Sequence, residues 1–460
     1  MSEKAKAKVT LGENGIYDAK TLGTPKVLLL GLQHMFAMFG ATILVPMLTG
    51  LDVSTTLLFA GLGTLLFHIL CKGKVPAFLG SSFAFLGGYA AIAPMLADGS
   101  ANEKMLPYAC FGVACAGLLY LLLALLIKVF GTGKVMRFFP PIVTGPIIIA
   151  IGLTLSKSAI DNCSTDWFIA VVAIVLVIVC NIWGKGMVKI VPIIIGVIGS
   201  YVLAAIMGRV DFTAVAEAKW IGLPIHWEKT AFSVMVGGDP ALLITAVVTI
   251  MPIALATMVE HIGDISAISS TVGINYFKEP GLHRTLLGDG LATIMAALFG
   301  APANTTYGEN TGVLSLTKVY DPLVIRIAAG FAILFSFSPK FAALIGCMPT
   351  ATCGGVSLVL YGMISAVGVR NIVETKVDFA KTRNVIIAAL ILVLSIGINY
   401  SSAGAVGFHI GELSISFSGL AVGALTGIIL NAILPGKDYV FDEDIPSDTG
   451  VDFAVKGQKN

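Results

Sequence analysis

One polar stretch restricts what this chain can fold into more than any other: Pro302-Ala303-Asn304-Thr305-Thr306-Tyr307-Gly308-Glu309-Asn310. It begins with proline and carries a carboxylate, yet it lies between the apolar runs Leu291–Gly300 and Val313–Leu316. In water such a stretch is an ordinary turn. In a bilayer, non-helical backbone must be buried in protein or line a cavity, because lipid cannot satisfy its N–H and C=O groups. Composition decides between the two. Apolar residues make up 56% of the 460 positions and charged residues 12%, with a mean hydropathy of +0.91. A soluble domain carries about 25% charged residues. This chain cannot cover a water-facing surface, so it is read as an integral membrane protein with the lipid bilayer as its surroundings. An acidic residue at that depth is a functional-site candidate. The net charge of +2 is uninformative, and nucleic acid is not an expected partner.

A spanning helix needs about 20 apolar residues. Candidate spans are Val27–Leu48, Thr55–Cys71, Leu106–Ile127, Phe138–Leu155, Trp167–Ile182, Ile190–Met207, Ala241–Ser266, Arg284–Leu298, Leu323–Phe337, Thr352–Gly368, Asn384–Ile398 and Leu413–Leu434. Two more segments, Ala77–Met95 and Asn304–Thr317, start with small and polar residues and end apolar. Each reads as a short strand leading into a half-length helix, which gives fourteen membrane segments. The first 26 residues hold five lysines and no apolar core, so a cleaved signal peptide is not expected. With the N-terminus inside, the inner loops carry fifteen Lys and Arg residues and the outer loops six. Both ends are therefore expected on the cytoplasmic side. The seven cysteines show no metal or redox spacing and read as small buried hydrophobes.

The polar stretch has a counterpart. Pro76-Ala77-Phe78-Leu79-Gly80-Ser81-Ser82-Phe83 also begins with proline, continues with small and hydroxylated residues, and turns helical near its eighth position. Each lies third in its half of the chain. Seven segments per half is odd, so the halves are expected to be inverted. Paired broken segments at equivalent positions of inverted halves point to a transporter's binding site.

Three acidic residues lie beside these elements. Glu260 and Asp264 are four residues apart and share a helix face. Two carboxylates there must face a wet interior, where they can share a proton. His261 points elsewhere around the helix and reads as structural. Asp289, in Gly288-Asp289-Gly290, fits a helix-end or supporting role. Glu309 and Gly308 stand at a strand-to-helix junction, where free N–H groups point at a ligand and glycine lets the backbone approach it. Phe83 holds the matching junction. Backbone amides plus Glu260 and Glu309 suit a planar imide or amide better than an anion. A metal cation fits less well, since the carboxylates are few and lie on separate elements. His34 is read as a hydrogen bonder between segments, Ala41 as a small residue allowing close approach, and Tyr361 as a gate contact.

These residues resemble the nucleobase–ascorbate transporter family, also called nucleobase:cation symporter family 2, in its bacterial uracil-transporting branch. The resemblance runs from Gln33 to about Leu434. Its marks are Gln33–Pro46, Pro76–Phe85, Glu260–Gly263, Gly288–Gly290, Asn304–Val313 and Gly354–Gly362. It implies an all-α polytopic membrane protein of fourteen segments in two inverted repeats of seven, with short antiparallel strands in segments 3 and 10. It implies a core domain (27–130 and 239–345), a gate domain (131–210 and 346–435), an extracellular loop (211–238) and cytoplasmic tails (1–26 and 436–460). By motif position Glu260, Glu309, Gly308, Phe83, Ala41 and Tyr361 look like the substrate residues. Asp264, His34, Asp289 and Asn310, with Glu260, look like the proton-coupling and supporting residues.

The implied activity is proton-coupled uptake of uracil across the bacterial cytoplasmic membrane, without a cofactor or metal, by a homodimer. Purine-type members resemble Gln-Asn where this chain has Glu309-Asn310, which favours uracil. Asp264 stands where a uracil-type pattern carries His and purine-type members more often carry Asp, which keeps xanthine or another purine as the alternative. An anion exchanger or channel of the same architecture is a third reading. It would want cationic residues at the half-helix ends, and Glu309 is there instead.

Overall fold

The computed structural model describes residues 15–96, 99–185, 187–410, 413–437 and 439, with the side chains of Met187, Ile190, Glu309, Leu316, 408–410 and 413–416 outside that description. Most of the two expected tails also lies outside it.

The first half of the chain opens with α1 (Thr24–Thr49) and α2 (Val53–Leu70), whose N-terminus is capped by Asp52 accepting from the Thr55 amide at 2.7 Å. Next come β1 (Leu79–Ser81) and the short α3 (Leu86–Ile92), then α4 (Leu106–Phe130) and the small α5 (Thr132–Met136). The half closes with α6 (Pro141–Ser164), α7 (Trp167–Trp183), α8 (Met187–Ile190) and α9 (Pro192–Ile206). The loop after it holds α10 (Thr213–Glu217) and α11 (Phe232–Met235).

The second half contains α12 (Pro240–Ile250), α13 (Ala254–Val272), α14 (Leu282–Leu298), β2 (Asn304–Thr306) and α15 (Gly308–Thr317). These are followed by α16 (Pro322–Ser336), α17 (Pro339–Gly346), α18 (Thr350–Glu374) and α19 (Thr382–Asn399). A hairpin of β3 (Ala405–Ile410) and β4 (Leu413–Ser418) leads into α20 (Gly419–Ile433).

Seven helical stretches among the described residues are long and apolar enough to cross a membrane, and the pair α16 and α17, bent by 88°, makes an eighth. This is a multi-pass membrane protein. Two expected spans differ in detail. The stretch Ala241–Ser266 is broken at Met251–Ile253, where Pro252 removes a backbone donor from the helical ladder. The stretch Leu413–Leu434 is helical only from Gly419. Its first six residues alternate apolar and serine, the period of a strand, and they pair with β3.

The helix contacts fall into two main sets. In one, α14 lies against α2 and α4, and α16 against α1 and α2. In the other, α6 lies against α18, α19 and α20, and α7 against α9 and α18. The α6–α18 contact brings backbones together: a Cβ on Gly368 would stand 2.6 Å from the Gly145 carbonyl oxygen. Small residues at a crossing permit this approach, and lipid-embedded helices depend on it because no hydrophobic difference drives them together.

Candidate binding site at the strand crossing

The two proline-led segments meet. β1 and β2 pair antiparallel with Leu79 opposite Thr306, Gly80 opposite Thr305 and Ser81 opposite Asn304. Pairing extends past the strands, with the Ser82 amide donating to Ala303 O at 2.9 Å and the Tyr307 amide to Phe78 O at 3.1 Å. Side chains from neighbouring helices satisfy the outer edges. Leu79 N–H donates to Thr64 Oγ1 at 2.9 Å, and Thr293 Oγ1 donates to Asn304 O at 2.6 Å. Asn304 Nδ2 in turn reaches Phe59 O on α2 at 2.7 Å. Tyr307 closes the crossing from beneath, its hydroxyl donating to Ser81 O at 2.8 Å. A two-stranded unit can thus exist within a bilayer, since buried backbone groups need partners and here receive them.

Beside the crossing lies a cavity of about 520 Å³. Ser81 and Phe83 line it from the first half, Glu260, Gly263 and Asp264 from α13, and Thr305 to Gly308 from the second crossing segment. The facing wall is apolar, built by Ile148 of α6 and Leu360, Met363 and Ile364 of α18. The cavity continues to Arg370 and Glu374 at the end of α18. Ser266 and Thr311 also line it, and their buried hydroxyls have no hydrogen-bond partner among the described residues. Such hydroxyls are available to a polar ligand or to water.

Of the expected site residues, Glu260, Asp264, Gly308 and Phe83 come together on this cavity. Asp264 Oδ2 accepts from Thr306 Oγ1 at 2.8 Å, which joins the acidic helix to the crossing. Gly308 opens α15. Among the described residues its Tyr307 cap gives no side-chain hydrogen bond to the first amides of that helix. The Glu309 backbone occupies the second position of this helix, and its side chain lies outside the described residues. Tyr361 does not line the cavity. It stands behind Phe83, edge-on to that ring at 5.6 Å and 78°. Ala41 is wholly buried in α1 and is not among the residues that line the cavity. His34 and Asn310 are also buried and tie α1 to α15, with Asn310 Nδ2 3.2 Å from both His34 Nδ1 and His34 O.

Asp289 and His261 are both fully buried, with His261 Nδ1 3.0 Å from Asp289 Oδ2. The same ring nitrogen is 3.4 Å from Thr306 Oγ1. Thr306 therefore stands between Asp264 and the His261–Asp289 pair. Reading the sequence alone missed this residue. The only signal was its place in the proline-led segment, where alternation puts Asn304 and Thr306 on one face and Thr305 on the other. Among the described residues no group of His, Cys, Asp and Glu could hold a metal ion.

The model of the Permease family (Xan_ur_permease) matches residues 25–404. The chain belongs to this family. The permease is 42% identical to a protein of Bacillus caldolyticus named uracil permease, over 93% of this chain and 97% of that one. It is 41% identical to the uracil permease of Bacillus subtilis strain 168, over 88% and 91% of the two chains. For the uracil permease of Escherichia coli K12 the figures are 38%, 91% and 94%. Among solved structures, the permease resembles the transmembrane domain of the cyanobacterial bicarbonate transporter BicA (TM-score 0.57, 14% identity), covering 91% of this chain and 99% of that one. It also resembles the murine Slc26a9 anion transporter in the inward-facing state (TM-score 0.61, 11% identity), covering 93% and 69%. At these identities the likeness is one of fold. The family is one of transporters, and the permease is not an enzyme.

Proposed function

We propose that this permease takes up uracil across the bacterial cytoplasmic membrane, coupled to protons, by alternating access. The observation that carries the reading is its similarity, over nearly the whole chain, to proteins named uracil permease. The cavity agrees chemically. Uracil is flat and alternates ring N–H donors with carbonyl acceptors. In this reading Glu260 and Glu309 accept from its N–H groups. Backbone amides at Phe83 and Gly308 donate to its carbonyls. A proton held around Glu260 and Asp264 offsets the charge that the site buries.

The same reading assigns fourteen membrane segments in two inverted halves, with both termini cytoplasmic. Residues 27–130 and 239–345 form a core that carries the site, and 131–210 and 346–435 form a gate through which two copies pair. The cavity end at Arg370 and Glu374 is then cytoplasmic. Asp264 is the one residue that favours a purine.

Thermal unfolding of the purified protein with uracil, thymine, xanthine, uric acid and hypoxanthine tests the substrate. A ligand at 100 times its Kd stabilises the native state by about 2.7 kcal/mol. The expected result is stabilisation by uracil above the purines, together with uracil uptake into proteoliposomes that an imposed proton gradient accelerates. Stabilisation by xanthine and not uracil would transfer the site to purines. Sulfate or bicarbonate flux without nucleobase uptake would overturn both.

A further inference from the structure

A second cavity, of about 490 Å³, opens on the outside of the helix bundle. Its floor and sides come from Leu119, Leu122, Leu123, Leu126 and Phe130 on α4, Leu255 and Met258 on α13, and Leu425 and Ile428 on α20, closed at one end by Lys134 of α5 with Phe138 and Phe139. Every lining residue except Lys134 is apolar. From Leu119 to Phe130 the helix rises about 16 Å, close to the half-thickness of a hydrocarbon core about 30 Å across. The groove is therefore one leaflet deep, apolar along its length and cationic at its mouth.

Lys128, Lys134 and Arg137 are all exposed at that end. The segment that carries them, residues 105–160, holds no aspartate or glutamate. We propose that this groove is a binding site for one acyl chain of an anionic phospholipid, with its phosphate held by Lys134, Lys128 and Arg137. The occupant is a membrane lipid and not a soluble phosphate, because the walls offer hydrocarbon contact and the charge sits only at the end. Its walls come from both helix sets, so the bound chain bridges α4 and α13 to α20.

The test uses the full-length protein in detergent, with native mass spectrometry and thermal unfolding. The probes are palmitoyl-oleoyl phosphatidylglycerol, the matching phosphatidylethanolamine, and glycerol 1-phosphate. The expected result is retention of phosphatidylglycerol, a rise in Tm with it, and little effect of the other two. Each basic group beside an anionic headgroup contributes about five-fold in affinity, so the triple variant K128Q/K134Q/R137Q should lose preference on the order of 100-fold. Leu122→Trp, at an exposed wall position, should displace the chain while leaving the lysines in place. If the triple variant does not fold, salt on the wild type replaces it: at about 1 M, where screening falls to about 3 Å, the preference should shrink. Equal retention of the two lipids by the wild type overturns the proposal. So does a folded triple variant that keeps the preference, salt insensitivity, or a Tm rise with glycerol 1-phosphate alone.

Discussion

Gly80 tests whether the crossing is as tightly fitted as its geometry implies. Its backbone does not occupy the left-handed region, so alanine is conformationally acceptable there, and only space is at issue. A Cβ at Gly80 would stand 2.6 Å from Tyr307 Cε2 and 2.7 Å from both Tyr307 Cζ and Thr42 Oγ1. Ordinary contact begins near 3.4 Å, so the ring would have to retreat about 0.8 Å. It has little freedom to do so, because it is buried and its hydroxyl donates to Ser81 O at 2.8 Å. Overpacking of this kind costs about 1–3 kcal/mol, and losing the tyrosine bond adds about 1 kcal/mol. Gly80→Ala should therefore destabilise the protein by about 2–4 kcal/mol, and displacing the Phe83 and Gly308 edges should weaken uracil binding at least ten-fold. Chemical unfolding and a uracil binding isotherm measure the two effects. Tyr307→Ala removes the obstructing ring, so the double variant should recover about 1–3 kcal/mol relative to additivity. Gly80→Ala with wild-type stability and affinity, or a strictly additive cycle, would refute the reasoning.

Glu309→Gln exchanges a charged acceptor for a neutral amide. A hydrogen bond to a charged group is worth about 1.5–3 kcal/mol, so uracil affinity should fall roughly 10- to 150-fold in a binding assay, and unchanged affinity removes Glu309 from the site. Thr306→Val deletes the 2.8 Å bond to Asp264. Uptake should drop about ten-fold and recover in Thr306→Ser, and a valine variant as active as the serine one shows the tether to be dispensable. Asp289→Asn removes the carboxyl partner of His261 while nearly preserving shape. Uracil binding should persist while proton-driven uptake collapses, and uptake that simply follows binding would make the pair a packing element.

The lengths and apolar character of the helices were legible because lipid imposes them. The two proline-led segments stood out for the complementary reason that lipid excludes them. The meeting of Glu260 with Asp264 followed from helical spacing, and the meeting of both with Gly308 from the pairing of the two proline-led segments. Other features needed the third dimension. Nothing in the order of residues pairs Asp289 with His261, because their contact joins two helices and leaves no periodic trace. Tyr361 and Ala41 carry motif positions, yet neither lines the cavity, since a motif marks a neighbourhood and not which side chains face a given space. The strand Leu413–Ser418 was concealed by its hydrophobicity, although its alternation with serine was a period-2 signal.

The distribution of polar bonds around the cavity bears on how the proposed alternation proceeds. The crossing is bonded to α2 through Thr64 and Phe59, to α13 through Asp264, and to α14 through Thr293. Thr42 of α1 adds a further tie, accepting from Ser81 Oγ at 3.0 Å through its carbonyl. These are directional contacts among buried groups, and breaking several together is costly. Across the cavity the contact is of another kind. Phe83 meets Tyr361 edge to ring, and Ile148, Leu360 and Met363 present hydrocarbon. Apolar surfaces carry no preferred register, so they slide with little change in energy as long as they stay covered. In the proposed alternation the crossing, α1, α2, α13 and α14 would move as one body, with the plane of slip along Phe83, Ile148 and Leu360. A polar side chain placed on that plane, such as Leu360→Gln, would find partners in one position and not the other. It should hold the transporter in a single state, with uracil binding retained and uptake lost.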